Sequence, residues 1–347
     1  MVSELTSVRH EVPDTLEAIE YCYRQGWTDG LPVVPPTQER VREFLAYAGL
    51  DPETVVGEVP DRARVITAEK VAINAVMAGC LPAYLPVVVA AVQAMAADEF
   101  CLHGSMASTG GAAPLVIVNG PVRTELEMNA GVNVFGAGTR ANATIGRALR
   151  LVLLNVCDAR PGVLDQATMG HPGKYSYCIA EDEEATVWQP LHVERGLPRE
   201  LSAVTVLAGE APHYVKNAFG TTPEEVLTSV ADVMAHASYT QGAYLVVLAP
   251  EHRAVIERAG WSKADVRAYL AEHARRSAAE LKRVGYLRGK IEAGDNQRFP
   301  PLVSEDEVLV VAAGGSGGTF SAVVPPWAGG RSSAPVTRAV GACVECE

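Results

Sequence analysis

The chain predicts an α/β protein: partly parallel mixed sheets with flanking helices. Three observations carry this. Apolar strand-length runs alternate with amphipathic helical stretches along most of the chain. The runs at 114–119, 203–208, 242–249 and 308–313 are apolar at nearly every position, as strands covered on both faces are. The late run VLVVAAGGSGG echoes the early PLVIVNGP, which points to two similar α/β halves.

In chain order, Asp14 opens a helix whose Leu16, Ile19 and Tyr23 share a face and which stops at Gly26. Three prolines force residues 30–36 into an extended segment. Thr37 caps a second helix with Val41, Phe44 and Leu45 on its apolar face, ending near Gly49. DPETVVGEVPD reads as a linker. Thr67 opens the helix AEKVAINAVMAGC, which Gly79 and Pro82 break. Residues 85–95 restart as a helix apolar all round. SMASTGG is a loop feeding the strand at 114–119, and Asn142 starts the helix ATIGRALRLVLLNV. Residues 162–198 lack periodicity. Thr222 caps a helix to 237, and 262–285 reads as one long amphipathic helix. This gives a helical N-terminal arm (1–60), a first α/β domain with a long site loop (61–199), a second (200–330) and a flexible tail (331–347) carrying CVEC.

The composition bounds function. A chain of 347 residues, 48% hydrophobic, builds a core without staples. Its net charge of -12 argues against nucleic-acid binding, since neutralising phosphates needs a basic face. The most apolar region, 72–97, is broken by Asn74 and two prolines, so no membrane span is expected. Residues 1–13 lack the apolar core of a secretion signal, so a cytoplasmic location is expected. Seven widely spaced cysteines do not form a disulfide framework.

Chemistry-bearing residues concentrate in a few places. His171, Lys174, Tyr175, Tyr177, Cys178, Glu181, Glu183 and Glu184 crowd into fourteen positions. A histidine or lysine beside a thiol favours the thiolate, and a glutamate can carry a proton. Cys80 precedes a proline at a helix break, where helix amides lower a thiol pKa; a buried small residue is the plainer reading. Cys343 and Cys346 either relay electrons or sulfur or are incidental to a chain end. Arg140 and Asn142 at a helix start, with the loops at Gly110, Gly111, Gly315, Ser316 and Gly317, offer amides and a guanidinium to an anion. His192 and Glu194 share a face if extended, an edge for a divalent metal with His171 and with His103 or a cysteine, though without zinc-protease spacing.

The strings TDGLPVVPPTQERV, EKVAINAVMAGCLPAYLPVV, APLVIVNGP, NVFGAGTRANATIGRALRLVLLNV and HPGKYSYCIAEDEEATVWQPLHVERG together resemble a bacterial family whose members look like genetic companions of small UGSC-motif proteins carrying selenocysteine or cysteine. The likeness runs from Trp27 to Asn217 and recurs from Val308 to Trp327; the CVECE tail stands outside it. The resemblance implies thiol or selenol chemistry.

The leading expectation is therefore a thiol-dependent enzyme that forms or cleaves a carbon–sulfur bond, or reduces a small anionic substrate. Cys80 or Cys178 is the nucleophile, and His171 or Lys174 tunes it. Glu181 or Glu184 moves the proton, Arg140, Asn142 and the glycine loops hold the anion, and Cys343 with Cys346 resets the thiol. No cofactor is needed on that reading. Two alternatives stay open: a metal-dependent lyase or hydrolase, and a non-catalytic subunit or sulfur carrier for a UGSC-type or thioredoxin-like partner. The apolar 85–95 helix also suggests a homo-oligomer.

Overall fold

Two four-stranded mixed sheets lie face to face, with helices on both outer surfaces. The computed structural model describes residues 4–237, 239–327 and 332–341. The helices are α1 (Thr15–Arg24), α2 (Gln38–Ala48), α3 (Ala68–Ala78), α4 (Leu85–Ala96), α5 (Leu102–Ala107), α6 (Val122–Glu125), α7 (Arg140–Asn155), α8 (Leu191–Glu194), α9 (Pro223–Ala237), α10 (Pro250–Arg258), α11 (Lys263–His273) and α12 (Ala278–Arg283). The strands are β1 (Val55–Val59), β2 (Arg64–Thr67), β3 (Ala113–Asn119), β4 (Cys178–Ala180), β5 (Ala203–Gly209), β6 (His213–Lys216), β7 (Tyr244–Leu248), β8 (Val308–Ala312), β9 (Phe320–Val324) and β10 (Val336–Ala339).

Period-two alternation builds the layers. In β3, Val116 and Val118 face a helical layer containing α3, α4 and α7, while Leu115 and Ile117 face the other sheet. In β7, Tyr244, Val246 and Leu248 face α9 and α11, while Leu245 and Val247 point inward. Both sides of every central strand are thus covered, which is why these runs are apolar throughout. The nearly all-apolar α4, with Gln93 its one polar residue, is explained the same way: nine of its residues are buried within this chain, against β5 and β10 among others.

The two halves repeat one topology. In the first sheet β3 runs parallel to β4 and antiparallel to β5, which pairs with β10. In the second, β7 runs parallel to β8 and antiparallel to β9, which pairs with β6. Each half therefore gives its fourth strand to the other: β6 follows β5 but joins β9, and β10 follows β9 but joins β5. The crossing segments bond reciprocally, Glu210 N–H to the Pro325 carbonyl and Trp327 N–H to that of Ala208, both 2.9 Å. A cut at residue 200 does not follow this division, because β5 and β10 both belong to the first sheet. Part of the expected flexible tail is strand β10; Cys343 and Cys346 lie outside the described residues.

Other differences have local causes. The linker at 51–61 contains β1, which pairs with β2 in a hairpin. The single helix expected at 262–285 is two, because Ser277 starts α12 with a capping box to Glu280. In α1 the buried residues are Ala18 and Cys22, and Leu16 is exposed. Among the described residues no single helix is long and apolar enough to cross a membrane.

Candidate functional site

Where the amino end of β3 meets α5 and α7, the loop 165–174 borders a small, open-mouthed cavity. Gly146, Leu149, Arg150 and Leu153 line it from α7, Leu102, Ser105 and Met106 from α5, and Asp165, Gly173 and Lys174 from the loop. The α7 positions follow one stripe of the helix, spaced i, i+3, i+4 and i+7. Gly146 sits there because the chain entering β4 passes over it: a Cβ would lie 2.4 Å from the Ser176 hydroxyl and 2.6 Å from the Tyr177 nitrogen. An apolar pocket with a few convergent polar groups is the ordinary form of a small-molecule site.

The polar wall has three members. Lys174 Nζ donates to both carboxylate oxygens of Asp165, at 2.7 and 2.8 Å. Arg150 approaches Asp165 at 3.5 Å, and among the described residues its guanidinium makes no hydrogen bond. Burial lowers the Arg150 pKa, which Asp165 and Asp29 oppose; an arginine still stays charged. Asp29 is itself held bidentately by Arg147 at 2.8 Å. The wall keeps two cations against one carboxylate.

His171 stands beside this wall but is committed to shaping the loop. Its Nδ1 accepts from the Gly173 amide at 3.1 Å and so caps the turn that presents Lys174. That places the neutral ring's proton on Nε2, which is buried toward the Gly209 backbone without a bond of good geometry among the described residues. Burial lowers its pKa, the Gly209 backbone raises it and Lys174 lowers it further. Gly111 packs on Gly170 in the middle of the loop, and the Gly110 amide is taken by Ser108.

The thiols are elsewhere. Cys80 is 2% exposed and Cys178 is 6%, both in the core, and neither lines the cavity. Cys80 donates to the Thr144 carbonyl, and burial pushes its pKa up to about 12. Burial raises that of Cys178 as well. A nucleophile must be a thiolate, so neither fills that role unless the core opens. Unfolded, Cys80 ionises near its ordinary value of 9.0. Between pH 9 and about 12 only the unfolded chain gives up this proton, so stability should fall as pH climbs through that window. Thiol labelling at pH 8 should leave Cys80 and Cys178 unmodified until denaturant is added; native-state labelling of either, read by peptide mass, would contradict this burial.

The remaining candidates serve the fold. Glu181 is fully buried, accepting from Lys263 Nζ at 2.9 Å, Asn119 Nδ2 at 2.7 Å and the Leu191 amide at 2.7 Å. Glu184 pairs with Arg123 at 2.8 Å, which lowers its pKa. The carboxyl ends of β3 and β4, where ligands of open α/β sheets commonly bind, are thus plugged by this network. Arg140 donates to the Gly79 carbonyl at 3.0 Å and so closes the end of α3. Asn142 clamps both backbone groups of Asn129 at 2.9 Å. In the late glycine loop, Gly315 abuts Val132, the Gly317 amide is bound by Glu251 at 2.6 Å, and Ser316 is exposed.

His192 and Glu194 lie in the short helix α8 and not in a strand, so positions two apart do not share a face. Glu194 is held by Lys263 and Arg267. Among the described residues no three His, Cys, Asp or Glu side chains converge as metal ligands. His192 is fully buried, and among the described residues neither ring nitrogen is bonded. Unmade hydrogen bonds of that kind cost about 1–3 kcal/mol, so His192→Leu should hold or raise the melting temperature; a fall of several degrees would show that the ring has a partner.

Comparison with family models, with curated proteins and with solved structures finds no match for this chain.

Proposed function

We propose that the cavity between α5, α7 and the 165–174 loop binds a small carboxylate with a short apolar body, and that the chain is an enzyme acting on it. The observation that carries the reading is Arg150: a guanidinium on the cavity wall with no hydrogen bond among the described residues, next to an Asp165 already satisfied by Lys174. Its planar fork suits a carboxylate bidentately. Leu102, Met106, Leu149 and Leu153 supply the apolar surface for the ligand's body. With the anion on Arg150, the Lys174–Asp165 pair is the proton-carrying group on the same wall, an arrangement for general acid–base chemistry. The small anionic substrate expected from sequence is kept in this reading, with Arg150 in place of Arg140 and the glycine loops as its binder.

The test is a thermal-shift screen of small mono- and dicarboxylates and their neutral amides against the full chain. A binder present at 100 times its Kd should stabilise by about 2.7 kcal/mol. The reading expects saturable stabilisation by one carboxylate series and none by its amides. Stabilisation by neither, or equally by both, overturns it.

A further inference from the structure

We propose that residues 275–299 form a docking surface for the acidic N-terminal segment, residues 4–20, of a second copy of this chain.

The first observation is charge out of place. The chain carries -12 overall, yet seven of its 29 Lys and Arg fall between positions 275 and 298. Arg275, Arg283, Arg288, Lys290 and Arg298 are exposed, and among the described residues none forms a salt bridge, although Arg298 lies near Asp295. Elsewhere the basic side chains commonly sit on carboxylates, as Arg123, Arg147 and Lys263 do. Uncompensated cations on an acidic chain are available to a partner.

The second observation is that the segment is held in shape from beneath. Between α12 and β8 the chain runs for some twenty residues with only a short turn of helix, a length at which loops usually have a function. Lys282 and Asp295 pin it: Nζ reaches the Asp295 carboxylate and the Lys290 carbonyl, both at 2.8 Å. The Glu292 amide donates to Asp295 at 2.8 Å, and the Ala278 amide to the Arg298 carbonyl at 2.7 Å. Lys282 and Asp295 are thus satisfied on the inner side, while Tyr286, Ile291 and Phe299 are each about half exposed. Arginines among exposed aromatic and aliphatic residues are the composition of a protein interface.

The third observation supplies the occupant. Residues 4–20 contain Glu4, Glu11, Asp14, Glu17 and Glu20 against Arg9 alone, with Val8 and Leu16 about four-fifths exposed. This segment is also fixed from beneath, since Glu69 accepts from the Thr6 and Ser7 amides at 2.9 Å. It packs on the first helical layer, whereas residues 275–299 extend from the second. Each copy thus carries one acidic-apolar and one basic-apolar surface, and a twofold pair makes the contact twice. A nucleic acid would meet the same cations, but the chain's net charge repels a long polyanion.

The experiment uses the full chain and measures mass by sedimentation and light scattering at 50 and 500 mM NaCl. The expected result is twice 36.8 kDa at low salt and a shift toward 36.8 kDa at high salt, since exposed pairs are screened. The loop variant R283E/R288E/K290E and the arm variant E4K/E11K/E20K should each be monomeric at low salt. Mixed one to one they should recover the double mass, because one contact is then wild-type and the other is reversed on both sides, so both are attractive; this also shows that each variant is folded. A wild-type monomer at both salts, variants that still dimerise alone, or a mixture that stays monomeric overturns the proposal. So does a wild-type monomer whose loop binds a labelled single-stranded oligonucleotide and loses it on charge reversal.

Discussion

Arg150→Met should cut carboxylate-dependent stabilisation by half or more while leaving the apo protein's melting temperature within a degree or two of wild type. A charged hydrogen-bonding group contributes about 1.5–3 kcal/mol to such a contact, so affinity should fall at least about tenfold and up to a hundredfold or more. The apo protein should tolerate the change because Arg150 makes only a 3.5 Å approach to Asp165. Asp165 keeps its two short bonds from Lys174. Methionine preserves the length of the side chain against Leu149 and Leu153.

Lys174→Met is the contrasting variant. It strips Asp165, 7% exposed, of both short bonds and leaves the distant guanidinium as its counter-charge. Breaking a buried pair costs about 3–5 kcal/mol, and the partial exposure of Lys174 brings the expectation to the low end. Binding and stability are thus assigned to different cations on one wall. Calorimetric titration with a carboxylate found by screening, beside unfolding curves of both variants, reads the difference. Arg150→Met that binds as wild type does would remove the arginine from the site.

How far sequence reached this wall depends on which residues announce themselves locally. Lys174 and His171 stand out because they crowd a loop without periodicity. Arg150 was missed, although the signal was present: it falls on the stripe Gly146, Leu149 and Leu153, where a surface arginine does not belong. Asp165 carries no comparable signal, since a lone aspartate in a polar loop looks solvated until the chain folds over it. The cysteines misled for the opposite reason. A thiol at a helix break reads as reactive or as filler, and only packing decides; burial decided against the thiolate.

The same division runs through the fold. Caps at Asp14, Thr37 and Thr67 and the left-handed stops at Gly49 and Gly79 are local chemistry, and they stand where the residues put them. Strands β3, β5, β7 and β8 are apolar on both faces and readable. Strands β4, β6 and β10 are three or four residues long and exist through their partners. The exchange of β6 and β10 between halves leaves no local mark at all, because it is set by pairing across more than a hundred residues.

The costliest single change should be Lys263→Met. Lys263 is 3% exposed at the start of α11, in the second half, and its Nζ meets Glu181 at 2.9 Å, the Gln189 carbonyl at 2.8 Å and Glu194 at 3.1 Å. Glu181, at the end of β4 in the first half, has no exposure. Taking the ammonium away leaves a buried carboxylate with neutral donors only, for which about 3–5 kcal/mol is the usual loss. For a chain of 347 residues that is a fall of about 4–7 °C in melting temperature. Glu181→Gln added to Lys263→Met removes the stranded charge and keeps an acceptor for Asn119 and Leu191, so the double variant should be more stable than Lys263→Met alone. A coupling energy above about 1 kcal/mol in that double-mutant cycle would place the pair as a tie between the halves. If Lys263→Met unfolds where wild type does, or the second substitution costs its full amount again, then the two half-domains are held by the apolar layer between their sheets and this ion pair adds nothing to it.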